Sequence, residues 1–153
     1  MKVLCFEEPA QDIKNHYKGA QFVVQPVVDD SLPKDFDAIV SFHNLQHFPQ
    51  TKVLPTLRDW KTYLKPGGEL MVLVPSLEWA SKLIIQGAVN PLVLPSIFGL
   101  LGENRTGFTM PILRRFFELA EINVTAARSG AYTIDTSQGS YQGEQHLVRG
   151  VIQ

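Results

Sequence analysis

The sequence has a single cysteine, no run of basic residues, and no long apolar stretch free of proline and glycine. Each lack excludes something. Cys5 has no partner for an internal disulfide, which suits a reducing compartment. Lys and Arg number 14 against 15 Asp and Glu, so binding driven by phosphate neutralisation is not expected and nucleic acid is set aside as a partner. The opening residues show no basic segment followed by an apolar core, so no secretion signal is read and the expected location is cytoplasmic. From Leu83 to Gly102 the chain carries no charge, over about the length of a membrane-spanning helix. Gly87, Pro91, Pro95 and Gly99 interrupt that stretch, and a helix broken twice does not suit lipid. No membrane partner is expected. Residues 83–108 read instead as a lid over a ligand or as the contact of a homodimer.

What is present suits one domain. A chain of 153 residues with 44% hydrophobic content fills one core, so residues 1–153 read as a single unit. Met1 to Phe6 (MKVLCF) is a short apolar run of the buried-strand kind. Asp12 to Lys18 holds two helical turns before Gly19. Gln21 to Val28 is β-branched, but Pro26 cannot donate to a ladder, which puts its second half at an edge or past the strand end. Phe36 to Phe42 is a strand. Thr51 to Leu64 is a helix with Val53, Leu57, Trp60 and Leu64 inward, and Pro55 is acceptable there only in a first turn. KPGG, Lys65 to Gly68, fits a type II turn that redirects the chain into the strand Glu69 to Val74. Ser76 caps a helix whose inner face is Leu77, Ala80, Leu83 and Ile84. Thr109 caps another with Ile112, Leu113, Phe116, Phe117 and Ala120 inward. Ile122 to Ile134 and His146 to Ile152 are strands joined by a Gly/Ser/Gln-rich loop. Strands alternating with helices give a mostly parallel, doubly wound α/β sheet, and the two final strands close it as an antiparallel hairpin.

The stretch DFDAIVSFHNLQHFP, Asp35 to Pro49, turns abruptly from apolar to polar. In open α/β sheets ligands sit outside the carboxyl ends of the strands, so His43, Asn44, Gln46 and His47 would line a crevice. His43 and His47 are spaced for one helix face, but no third ligand accompanies them and no metal is assigned. Asn44 either bonds a ligand or caps the helix that follows. Arg105 to Phe108 either meets an anion with its main chain or is a loop leading to the Thr109 cap. Cys5 reads as strand packing. Tyr132, Tyr141 and His146 cannot be brought together from sequence alone.

FDAIVSFHNLQHF, then a helix, then YLKPGGELMVLVP, a helix, and RTGFTMPILRRFFELAEI resemble the C-terminal two-thirds of a class I S-adenosylmethionine-dependent methyltransferase. The nearest variety is the small type with an S-H-N-L-E-H element after its fourth strand. The match covers roughly residues 35–125, and the order and spacing of the pieces carry it. The resemblance implies a Rossmann-like sheet ordered 3-2-1-4-5-7-6 with S-adenosylmethionine bound across strands 1, 2 and 4. It implies Phe6, Glu7, Asp29, Asp30, His43 and Asn44 near the cofactor, with His43 or His47 beside the acceptor as the catalytic pair. Gln46 stands where the related pattern has glutamate.

The front of the chain departs from that pattern. The family's glycine-rich turn after strand 1 lets main-chain N–H groups approach the cofactor's amino-acid end. In this chain the stretch is CFEEPAQD, with no glycine and with Pro9 lacking a donor. Glu7 and Glu8 would sit near the cofactor carboxylate, where like charges at about 4 Å cost about 4 kcal/mol at an effective dielectric near 20. The sulfonium and amino groups are cationic, so a carboxylate facing them would help instead. Roughly thirty residues separate strands 1 and 4, room for one intervening strand rather than two, so the sheet should be reduced at its N-terminal edge. Two functions follow: a methyltransferase acting on a small-molecule substrate, or a catalytically silent relative, a binding or assembly protein that has lost cofactor binding, with a protein partner.

Overall fold

The computed structural model describes residues 1–87, 105–136 and 139–153. Among them, six strands form one sheet: β1 (Lys2–Cys5), β2 (Gln21–Val24), β3 (Phe36–Phe42), β4 (Leu64–Pro75), β5 (Asn123–Thr136) and β6 (Gly139–Val151), in the order β2-β1-β3-β4-β6-β5. β2, β1, β3 and β4 run parallel; β6 is antiparallel to both β4 and β5. This is the expected Rossmann-like sheet without its outermost strand. Between Val24 and Phe36 no strand forms, because the short segment 25–35 serves to carry the chain back from one rim of the sheet to the other.

Among the described residues, four helices accompany the sheet: α1 (Gln11–His16), α2 (Gln50–Lys61), α3 (Leu77–Ile85) and α4 (Met110–Leu119). The alternation of side chains along each strand separates two apolar layers. Leu4, Ile39, Val72 and Val148 meet Leu57 and Trp60 of α2 and Phe117 of α4. Val3, Val40, Met71 and Leu73 face the other way, toward Ile13 of α1 and Tyr17. The second layer is thinner, since the described helix on that side has only six residues.

Several elements end differently from the sequence expectation, each for a physical reason. α2 stops at Lys61 rather than Leu64; Leu64 pairs with Phe36 as the first residue of β4. An apolar residue at helical spacing serves a buried strand equally well. Pro55 lies in the second turn of α2, not the first. It and Thr51, whose carbonyl loses its donor, are both exposed, so water can satisfy that carbonyl. KPGG does not redirect the chain but bulges out of β4, which returns to the same partner with Glu69 opposite Ala38. Gly67 has φ +76°, as the third position of a type II turn requires, while a Cβ on Gly68 would lie 2.7 Å from the Lys65 carbonyl oxygen. The bulge also anchors the end of the chain: Gly67 N–H donates to the Ile152 carbonyl and Ile152 N–H to that of Gly68.

Ser76 and Thr109 cap α3 and α4 as expected, accepting from the N–H groups of Trp79 and Ile112. On α3 the inward residue is Ala80, and Ile84 is 48% exposed; on α4 Ile112 is 41% exposed. The supposed loop between the last strands is mostly strand. β5 and β6 pair out to Thr136 and Gly139, whereas β4 ends opposite Gln145, so the outer part is a two-stranded arm beyond the sheet. The lid or dimer contact expected at 83–108 falls largely on residues 88–104, outside the described residues. Among the described residues no helix is long and apolar enough to cross a membrane.

Candidate functional site

β3 ends at Phe42, and the ladder continues one residue further through His43 N–H to the Leu73 carbonyl, 2.9 Å. There the chain turns: His43 has φ +47°, a left-handed conformation that costs a side-chain-bearing residue about 1–2 kcal/mol. Surrounding contacts hold it. Its ring stacks on Phe42 at 4.3 Å between centroids and meets the edge of Tyr132, from the arm, at 4.6 Å. Its Nε2 lies 2.9 Å from Gln145 Oε1, so Nε2 carries the proton and donates. Burial drives the His43 pKa down to about 4; nearby His47 adds to this, and the Gln145 hydrogen bond opposes it. His43 is therefore a neutral, fixed donor near pH 7 and a weak base. Tyr132 is raised to about 12 by burial and stays protonated as well.

Residues Leu45–His47 form one 3₁₀ turn rather than an α-helix. Asn44 stands at its N-cap place, but its side chain makes no capping bond, so of its two alternatives the cap is not formed. Gln46 is 4% exposed; its Nε2 donates to the His43 carbonyl at 2.7 Å. Gln46 Oε1 and His47 Nδ1 are buried without a hydrogen-bond partner among the described residues, and such atoms commonly await water or a ligand. The Gln46 carbonyl accepts from the N–H groups of Arg105 (2.7 Å) and Thr106 (3.1 Å), and Thr106 Oγ1 donates to the Phe48 carbonyl. Those two N–H groups are thus spent on the protein, and Arg105 to Phe108 is the loop that leads to the Thr109 cap.

The turn from β1 to α1 comes to the same rim. The Phe6 side chain is buried and stacked on Trp60 at 4.4 Å, so it belongs to the core and only its main chain remains for a ligand. Glu7 is exposed and near His47: partial desolvation raises its pKa and the imidazole pulls it back. Glu8 pairs with Lys14 at 2.7 Å. Pro9 is buried, and α1 begins after Ala10 without a side-chain cap. At the carboxyl end of β2 stand Gln25 and Pro26, with Gln25 N–H bonded to the Cys5 carbonyl. Cys5 is buried and its pKa is pushed up to about 11, first by desolvation and then by Glu8 and Glu7.

The structure brings Glu7, His43, Asn44 and His47 to one rim and leaves Asp29 and Asp30 elsewhere. Asp29 accepts from the N–H and hydroxyl of Ser31. Both aspartates lie close enough to Tyr63 to add to the rise in its pKa, behind desolvation and Asp59. Tyr63 accepts from Phe36 N–H at the start of β3, so this is the amino rim. The expectation that these aspartates meet a cofactor is not what the geometry gives. Sequence reasoning missed Gln145 and could not place Tyr132, which reach His43 from β6 and β5, about a hundred residues away. It also missed a buried junction: His146 Nε2 lies 2.6 Å from Glu78 Oε2 and its Nδ1 2.9 Å from Ser129 Oγ, while Glu78 Oε1 accepts from Met110 N–H. A strand pairing not yet known gave no signal for either.

Residues 5–72, β1 to the middle of β4, match the family model described as "Methyltransferase domain". No curated protein is similar enough in sequence to match. Solved structures with the same fold include a SAM-dependent methyltransferase of Methanosarcina mazei, 17% identical, with a TM-score of 0.58 over 99% of this chain and 81% of that one. A Bacillus halodurans C-125 protein assigned to the methyltransferases is 13% identical, with a TM-score of 0.63 over 98% and 91% of the two chains. Magnesium protoporphyrin IX methyltransferase of Synechocystis PCC 6803, solved with bound SAH, is 11% identical, with a TM-score of 0.51 over 94% and 57%. Residues 5–72 are thus similar to a methyltransferase domain, and the chain shares the fold of solved SAM-dependent methyltransferases.

Proposed function

We propose that this chain is a member of the family that binds a small molecule at the carboxyl rim of its sheet and has given up the family's way of holding S-adenosylmethionine. One observation carries the reading: the β1–α1 turn does not fit the cofactor's amino-acid end. It has no glycine to let main chain approach, Pro9 has no N–H, and Glu7 offers a carboxylate where a carboxylate must be received, Glu8 being paired with Lys14. The six-residue α1 adds no useful helix dipole. The end of β2 agrees, since Gln25 and Pro26 supply no acidic group for ribose hydroxyls. What remains is a rim of fixed hydrogen-bonding groups (His43 held by Gln145, the side chains of Asn44 and Gln46, His47 Nδ1) of the kind that orients a small ligand. The net charge of −1 and the lack of a basic stripe favour a small molecule or protein over nucleic acid.

The test is a thermal melt with and without millimolar S-adenosylmethionine or S-adenosylhomocysteine. A ligand at about 100 times its Kd would add about 2.7 kcal/mol and raise the midpoint by several degrees. The proposal predicts an unchanged midpoint. A second reading, an active methyltransferase on a small acceptor with His43 or His47 beside it, has one observation in its favour. Gln46 Oε1 and His47 Nδ1 are unpaired near Glu7, whose carboxylate would then face the cationic part of the cofactor. A rise with either ligand selects that reading.

A further inference from the structure

The thin side of the sheet carries a trough. A cavity of about 500 Å³ lies between α1 and the strands β4, β6 and β5, within the range of small-molecule pockets. Met71 and Leu73 form its floor with Leu147, and Asp12, Asn15 and His16 of α1 and Arg128 and Arg149 of the hairpin form its walls. A second space of about 240 Å³ shares Asp12, Leu73, Arg128 and Leu147 with the first and extends to Gly130 and Gln145. Gln145 is the residue that holds His43, so the trough opens toward the rim.

The charges in it are not equivalent. Arg149 is engaged by Glu69, Nε to Oε2 3.2 Å, and Glu69 also accepts from the Tyr17 hydroxyl. Arg128, by contrast, makes no hydrogen bond or ion pair among the described residues. Asp12 receives the N–H of Ile13 on one carboxylate oxygen and has no cationic partner among those residues. One unpaired guanidinium and one unpaired carboxylate therefore border both spaces over a shared apolar floor. A guanidinium receives a carboxylate through two parallel N–H groups, and a carboxylate receives an ammonium. We propose that the trough binds a small zwitterion with an apolar tail, an apolar α-amino acid or a close derivative. Its carboxylate lies on Arg128, its ammonium on Asp12 and its tail on Met71, Leu73 and Leu147. The inference goes beyond the rim reading above: it concerns a separate face of the sheet and does not depend on whether the cofactor binds.

Calorimetric titration of the whole chain with L-phenylalanine, hydrocinnamate and phenethylamine tests it, the last two each lacking one charge. Phenylalanine should bind about tenfold or more tightly than either. Arg128→Gln should bring phenylalanine down to the level of phenethylamine, and Asp12→Asn to that of hydrocinnamate. Gly130→Leu gives an independent check: a Cβ there meets nothing within 4 Å, so the larger residue fills the smaller space without displacing backbone. It should weaken phenylalanine while leaving the melting midpoint in place. Equal binding of hydrocinnamate and phenylalanine, no binding by any of the three, or unchanged affinity in both charge variants would overturn the proposal. None of these results bears on the melt with S-adenosylmethionine, so the two readings fail separately.

Discussion

His43 concentrates the physics of the rim in one residue. Its ring is buried and neutral, with a pKa near 4 against an ordinary 6.5. Between those values the unfolded chain takes up a proton that the folded chain refuses, so the stability from His43 is complete above about pH 6.5 and is lost as pH falls toward 4. Thermal melts at about pH 7 and about pH 4.5 should show the wild type losing more stability than His43→Asn, asparagine being suited to a left-handed φ. Equal losses in the two proteins would contradict a depressed histidine. The polar end of the strand was legible in the sequence because His43, Asn44, Gln46 and His47 follow a strand that is mostly apolar. The state of His43 was not, because the groups that set it, Gln145 and Tyr132, come from strands whose register no local pattern fixes.

At the scale of elements, the bulge in β4 and the Glu78–His146 junction hold the layers in place. Gly68→Ala puts a methyl against the Lys65 carbonyl oxygen at 2.7 Å and against Leu64, which overpacks a backbone contact. Chemical denaturation should show a loss of about 1–3 kcal/mol. A loss below about 0.5 kcal/mol would mean that the bulge gives way freely. Glu78 joins α3 to the hairpin through His146 and to the start of α4 through Met110 N–H. Desolvation alone would raise the Glu78 pKa, but His146 and the N–H donors outweigh it and the net shift is downward. Glu78→Gln leaves His146, 2% exposed, without its charged partner, and about 1–3 kcal/mol should be lost in the same measurement. No loss would assign the junction to packing alone. Elements with a buried face were readable, β3 to the residue. The β5 side of the arm reads as strand to Ile134, but residues 139–145 of β6 read as loop, because a strand that pairs only with its neighbour has no layer to bury against and lacks apolar alternation.

For the whole molecule, the order of strands and helices carried the fold, and the shortened front half foretold the missing edge strand. The short α1, of six residues, leaves the trough beside it. Site residues were less legible than fold. His43, Asn44 and His47 lie at the rim the strand order sets, while Asp29 and Asp30 lie toward the opposite rim, to which the segment between β2 and β3 crosses. Fold does not decide function, and the β1–α1 turn, with Glu7, Glu8 and Pro9 and no glycine, is where the proposed loss of cofactor binding rests. The most direct measurement is a calorimetric titration of the folded chain with S-adenosylhomocysteine. The account predicts no saturable heat up to millimolar ligand; saturation with a micromolar Kd, about 8 kcal/mol of binding, would contradict it.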